Sequence, residues 1–480
     1  MSTTVALLVL LAPAGSAAEA GQQTRQVEGQ GTAAAPAVYE SRPDILLQTS
    51  LTTSSTGQQD PNLLLTTPAS FVGQPYGGAY GAAAIYDNNG QPVWYQDGRY
   101  AHLRQITFRG QPALSVFDYN RGQFVILNSS YQEIAAFGMQ GYTPDYHPMD
   151  FTDDGSRILM TSYNPVQRDL SQYGGSPNAT VMEIVIQEVD TATNQVTFEW
   201  SSFDHIPIDE THEPLNRPVV EYLHTNSVAY DNDGNILMSA RHTSAIYKID
   251  IDSGEIIWRF GGEANDFTFA NPADMPSYQH DATRLPNGNL AAFDNGVGHS
   301  PQVSRGAVWQ IDEQAMTARL VQSMQSQNRF AIATGSNQPT PSGSHLVNYG
   351  TTGAMVEFNG SQQVFTGQFS NGYFTYWAGR TTNWVGTPAS PPDVAVSDPD
   401  DDGALDVAVS WNGATEVDAW RIEARSEDGA GFEPLATIEK TGFETDAEVT
   451  VPDGDADRVR VRALDDNGAV LGSRTLTLAW

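Results

Sequence analysis

One phrase returns throughout this chain and limits what it can fold into. A run of alternating apolar residues stops at a turn of Asp, Asn or Gly, and a second run carrying an aromatic follows. It reads AIYDNNGQPVWY at Ala84–Tyr95, EVDTATNQVTFEW at Glu188–Trp200, YKIDIDSGEIIWRF at Tyr247–Phe260 and MVEFNGSQQVFTGQF at Met355–Phe369. Period-two alternation on both sides of such a turn is the signature of a β-hairpin. A companion phrase opens on a histidine three times: His147–Ser162, His224–Arg241 and His280–Gly296, with DDG, DNDG and PNG turns inside them. Weaker copies begin near Pro61, Leu103 and Arg329.

These copies make six units between about residues 43 and 387, roughly 57 residues each, and amphipathic helical periodicity is nearly absent. Four strands per unit, repeated at that spacing, predict an all-β fold: a six-bladed β-propeller, whose radial closure also protects strand edges. After Thr387 the texture changes. Residues 388–392 read as a linker, and 393–480 as short strands of an immunoglobulin or fibronectin type III-like β-sandwich with Trp411 as core.

Composition narrows the chemistry. The chain has 57 acidic and 24 basic residues, a formal net charge of −33, and no cysteine. A strongly acidic chain repels phosphates, so nucleic acid is not an expected partner. Without cysteine there are no thiolate metal sites, disulfides or thiol nucleophiles. Only Lys248 and Lys440 are lysines, which suits either a protein kept soluble in high salt or a genome that writes Arg for Lys. Residues 393–480 alone carry −14 of the charge.

Residues 1–20 contain the apolar run Val5–Leu11 followed by Pro13 and small residues, as in a secretory signal peptide, and 21–42 read as a disordered linker. The expected location is therefore secreted or extracytoplasmic. No later apolar run approaches the length of a membrane-spanning helix. Asp398–Gly403 imitates a calcium loop but lacks the bidentate Glu such loops end on, and reads as a solvated turn. Asp231–Asn235 reads as a structural hairpin turn, and Trp94, Trp200 and Trp258, at one hairpin phase, as packing between blades.

Nine histidines are present, and phase singles out three. His147, His224 and His280 open first strands in successive repeats, and innermost propeller strands line the central channel. Three imidazoles suggest zinc at first. Asn226, on the same strand face as His224 by period two, and Arg241, at the end of that hairpin, argue against a metal and for an oxyanion. No cofactor or metal is expected. His242, next to Arg241, is expected on the opposite strand face and outside the site.

The strings HTNSVAYDNDGNILMSARHTSAIYKID, WRFGG and YQHDATRLPNGNLAAFDNG resemble the arylsulfotransferase (arylsulfate sulfotransferase) family. The resemblance covers most of Tyr142–Thr387, and VSWNGATEVDAWRI resembles C-terminal modules of its fungal and prokaryotic branch. It implies a nucleotide-independent transfer of a sulfuryl group from an aryl sulfate ester to a phenolic acceptor, through a covalent sulfohistidine and ping-pong kinetics. By the same resemblance His280 is the nucleophile. His224, Asn226 and Arg241 match its HxN and S-x-R-H motifs, and His147 is the further channel histidine. A late-blade threonine of the family has Thr334 or Ser336 as candidates. The alternative is a secreted, non-catalytic propeller that binds a ligand or partner protein. The sequence does not fix an oligomeric state.

Overall fold

A computed structural model describes residues 38–45, 47, 49–70, 81–147, 149–370, 372–397, 404–425, 431–451 and 456–478. The signal-peptide and linker readings before residue 38, and the acidic turn at 398–403, lie outside the described residues.

The hairpin phrases fold as read, into sheets of antiparallel strands arranged as six blades. Asp150–Phe151, Arg157–Arg168, Ala179–Asp190 and Val196–Ser201 make the third blade; Thr225–Tyr230, Ile236–Ala240, Ala245–Ile249 and Ile256–Gly261 the fourth. His280–Arg284, Leu290–Asp294, Arg305–Asp312 and Thr317–Met324 make the fifth, and Ser336–Pro339, His345–Asn348, Ala354–Asn359 and Gln362–Phe369 the sixth. The first two blades share one seven-stranded sheet. They are joined because Pro92–Phe108 leaves the outer edge of one and enters the next as its inner strand: Tyr100 pairs with Gly81 on one side and Asp118 on the other.

The ring closes twice. Tyr373–Arg380 returns to pair with Leu64–Ser70 as the inner strand of the first blade, and Leu51–Ser55 adds to the outer edge of the sixth. A wholly buried Arg380–Glu357 ion pair at 2.9 Å locks this junction, and Glu357 also accepts from the Asp60 amide at 2.6 Å. Around the channel, side chains tie neighbouring blades together. Arg104 donates to the Met149 carbonyl at 2.8 Å, Asn226 to that of Gln279 at 2.7 Å and Asn348 to that of Tyr376 at 3.0 Å.

Between blades the expected tryptophans are core: Trp94, Trp200 and Trp258 are 3%, 2% and 1% exposed. Truncating any of them costs about 3–5 kcal/mol on general grounds. The Asp231 turn is structural as read. Its carboxylate is buried between Arg284 at 2.7 Å and Lys248 at 2.9 Å.

The terminal segment forms two packed sheets, one of Asp393–Ser397, Ala404–Ser410 and Glu444–Thr450, the other of Glu433–Glu439, Ala419–Arg425, Arg458–Leu464 and Val470–Thr477. The tryptophan fully buried in their core is Trp420; Trp411 is half-buried and packs against that core from its edge. Trp411 follows the last residue of its strand, where alternation no longer sets direction; its indole N–H donates to the Ser390 carbonyl at 2.7 Å. The module rests on the first blade, with Asn412 bonded to both the N–H and C=O of Tyr95 at 2.9 and 2.8 Å.

Candidate active site

Inner strands of the propeller do not run straight through the channel. Ladder pairs skip from Ala101 to Arg104, from Thr225 to Ser227, from His280 to Thr283 and, on the closing strand, from Thr375 to Ala378. Each skip is a β-bulge, which leaves residues unpaired and re-aims side chains. His102 and Asp281 lie within such skips with left-handed φ of 57° and 58°, and His224, just ahead of the Thr225 skip, has φ 48°. The result is a cluster of polar side chains at one mouth of the channel.

His280 is its centre. The ring is 1% exposed, and Nδ1 lies 2.7 Å from Oδ1 of Asn295. The amide of Asn295 can point only one way, because its Nδ2 donates to the carbonyls of Ala331 and Thr334 at 2.9 and 3.0 Å. Oδ1 must therefore accept, so Nδ1 of His280 carries the proton and Nε2 the lone pair. Burial, then the nearby Arg241 charge, push His280 well below the ordinary histidine range. It is a neutral imidazole whose Nε2 lone pair accepts from the amide N–H of Thr334 at 3.2 Å.

His147 and His224 are backed differently. Nδ1 of His147 is hydrogen-bonded to the Asp145 carboxylate, and Nδ1 of His224 lies 2.7 Å from Oε1 of Glu221. Their rings are 5.3 Å apart, edge to face. A carboxylate behind an imidazole stabilises the imidazolium with a full countercharge, whereas the amide behind His280 offers a hydrogen bond and no charge. Burial raises the pKa of Glu221 and lowers that of His224, each towards its neutral form. The three histidines expected to converge do so, with chemically distinct supports.

Arg241 supplies the positive charge. Its guanidinium stacks on Tyr278 at 4.8 Å and donates to the Ile332 carbonyl at 3.0 Å. Its Nε has no hydrogen-bond partner, and among the described residues no carboxylate lies within 4.0 Å of it. In a chain of charge −33 this is a local exception. Thr334 and Ser336 separate clearly. Thr334 sits over His280 with an unpartnered, buried Oγ1, while Ser336 is tied to the Ala378 carbonyl at 3.2 Å.

Two expectations fall where the strand pattern is interrupted. Period two puts Asn226 beside His224, and a bulge falls at Asn226 itself. Its amide donates to Gln279, anchoring the residue before His280, and its Oδ1 is left buried and unpartnered. Alternation also puts His242 on the far face of a strand. That strand ends at Ala240, and residues 241–244 form a turn, so alternation does not reach it. Its ring lies 4.8 Å from that of His224, and burial pushes its pKa down to about 3.

Glu221, His224 and His242 each offer one ligand atom within 4.8 Å of one another, a spacing a metal ion can use. Nδ1 of His224 is hydrogen-bonded to Glu221 and Nδ1 of His242 to the Glu221 carbonyl at 2.6 Å, so each ring has only Nε2 outside these bonds. Sequence reasoning also missed Asp145, Glu221, Asn295 and Tyr376. Asn295 lies inside the FDNG string, where it reads as a turn residue, and Tyr376 comes from a strand that joins the first blade only on closure.

Fold and site together define a β-propeller with a cluster of buried histidines and one arginine gathered around its channel. The arylsulfotransferase (ASST) family model matches residues 105–370, and the chain belongs to that family. Similar solved structures include a protein of unknown function from Bacteroides caccae, at 12% identity, covering 67% of this chain and 98% of that one with a TM-score of 0.40. TolB from Acinetobacter baumannii is 13% identical, covering 68% of each chain, TM-score 0.40. A virginiamycin B lyase from Staphylococcus aureus is 11% identical, covering 75% and 96%, TM-score 0.35. No curated protein sequence matches the chain.

Proposed function

We propose that this protein moves a sulfuryl group from an aryl sulfate ester to a phenol through a sulfohistidine on His280, working outside the cytoplasm. The observation that carries this reading is the fixed orientation of Asn295, which leaves Nε2 of His280 as a neutral, desolvated nucleophile beside an unpaired arginine.

In the first half-reaction the Nε2 lone pair attacks sulfur. The sulfur–oxygen bond to the aryl group breaks, and its electron pair leaves with the phenolic oxygen, which takes a proton from His147 or His224. In the second, the same histidine removes the proton of the acceptor phenol. Its oxygen attacks sulfur, and the nitrogen–sulfur bond pair returns to Nε2. Sulfuryl transfer resembles phosphoryl transfer, with a loose transition state governed by positioning and charge. Arg241 and the N–H of Thr334, which passes from the Nε2 lone pair it holds in the free protein to the incoming group, are the donors for the sulfuryl oxygens, each worth roughly 3 kcal/mol on the scale of oxyanion-hole groups. We assign residues 43–387 to this catalytic propeller and 393–480 to a fibronectin type III-like accessory module.

The test is mass spectrometry after exposure to p-nitrophenyl sulfate without acceptor. One acid-labile sulfuryl group on His280 is expected. Transfer to phenol by a His280→Ala variant at the wild-type rate would sink the assignment.

A further inference from the structure

Two buried polar groups of the channel have no role in the chemistry above. His102 is wholly buried, yet neither Nδ1 nor Nε2 has a hydrogen-bond partner among the described residues. The same holds for the hydroxyl of Tyr376, which is 2% exposed. Their rings meet edge to face at 4.6 Å. Tyr376 in turn lies 5.3 Å from the ring of His147 and 5.8 Å from that of His280, so it connects His102 to the site.

Buried donors and acceptors are nearly always satisfied, because leaving one bare forfeits its hydration without return. A position that only filled space would hold Phe or Leu. Both residues instead occupy β-bulges of inner strands, between Ala101 and Arg104 and between Thr375 and Ala378, and His102 takes a φ of 57° to do so. Backbone strain and unsatisfied polar atoms together mark a functional position. Burial, with Arg104 and His147 adding to it, keeps His102 neutral, so one ring nitrogen carries a proton to donate. Burial keeps the Tyr376 phenol protonated as well. Both lie outside residues 105–370, the stretch the family model matches.

We propose that His102 and Tyr376 form the floor of the site, donating an imidazole N–H and a phenol O–H to oxygens of the bound sulfate ester. Arg241 and Thr334 hold the group from the mouth, and these two hold it from within the channel. This rests on reading the mouth as a sulfuryl-transfer site.

The probe is p-nitrobenzenesulfonate, which presents three sulfonyl oxygens on a carbon–sulfur bond and has no leaving oxygen. Calorimetry would compare wild type with His102→Phe and Tyr376→Phe, which keep ring volume and remove only polar atoms. Each variant should bind about tenfold or more weakly, the scale of a hydrogen bond to a charged acceptor. Thermal melting should not fall, because the polar atoms removed satisfy nothing in the free protein. A structural histidine or tyrosine would give the reverse, a lower melting point with affinity unchanged. Affinity unchanged in either variant removes that residue from the floor, and no binding by wild type overturns the proposal. If His102→Phe does not fold, Tyr376→Phe decides. Binding that weakens as expected, in a protein that transfers sulfuryl from no donor, would retain the anion floor and sink the transfer reading.

Discussion

Nδ1 of His280 donates to Oδ1 of Asn295 at 2.7 Å, and the nitrogen of that amide is held by the carbonyls of Ala331 and Thr334. One side chain thus decides which nitrogen of the histidine is reactive and denies it a countercharge. Asn295→Asp tests this directly. A carboxylate there favours the imidazolium and raises the His280 pKa, so the nucleophile is protonated at pH values where wild type is neutral. The donor-only burst should slow about 10- to 100-fold near pH 6 and recover as pH rises. A burst at the wild-type rate with a flat profile would show that Asn295 does not tune the nucleophile.

The Asp145–His147 pair should matter in proportion to the difficulty of the leaving group. Asp145→Asn leaves the ring oriented but weakens support for its charged form. Transfer from p-nitrophenyl sulfate, whose phenolate leaves easily, should fall by less than about tenfold, and transfer from unsubstituted phenyl sulfate by about 100-fold or more. Equal losses across a series of aryl sulfates would rule out proton donation by His147 to the leaving oxygen. The same series on Glu221→Gln distinguishes His224.

Stability should fall on mild acidification. His102, His224, His242 and His280 all have folded pKa values lowered by burial, so the unfolded chain binds their protons first. Their contribution is complete above the unfolded value near 6.5 and is lost as pH drops below it. For His242, pushed down to about 3, the loss continues at up to roughly 1.4 kcal/mol per pH unit across that window. Asp150, Asp281 and Glu221 are raised by burial and offset part of this as pH falls from their raised folded values to the ordinary carboxylate range. Melting temperatures between pH 7.5 and 5.5 should decline, and less steeply in His242→Gln. An unchanged slope in that variant would show that His242 is not buried as described.

Ring closure depends on Glu357. Removing it strands the Arg380 guanidinium in the core and frees the Asp60 amide and the Ser344 hydroxyl. Glu357→Ala should cost about 3–5 kcal/mol in urea unfolding, the range for breaking a buried pair. A loss under about 1 kcal/mol, typical of exposed pairs, would mean solvent reaches this junction.

Local structure is legible in the chain itself. Alternation and Asp/Asn/Gly turns specify hairpins, and their recurrence specifies blades, because both are decided within a dozen residues. The placement of His147, His224 and His280 at the heads of inner strands follows from phase alone. Arguments from period two fail where a turn ends the alternation, at His242.

What the sequence by itself determined is therefore the repeating hairpin, the number of blades and the histidines that face the channel. Only the tertiary structure decided what stands behind them: Asp145, Glu221 and Asn295 as supports, and Tyr376 brought in on the closing strand. The reason is physical. A strand's pattern is written in its own residues. The orientation of an amide, or the side chain that meets a histidine across the channel, depends on hydrogen bonds between segments that only closure of the ring brings together.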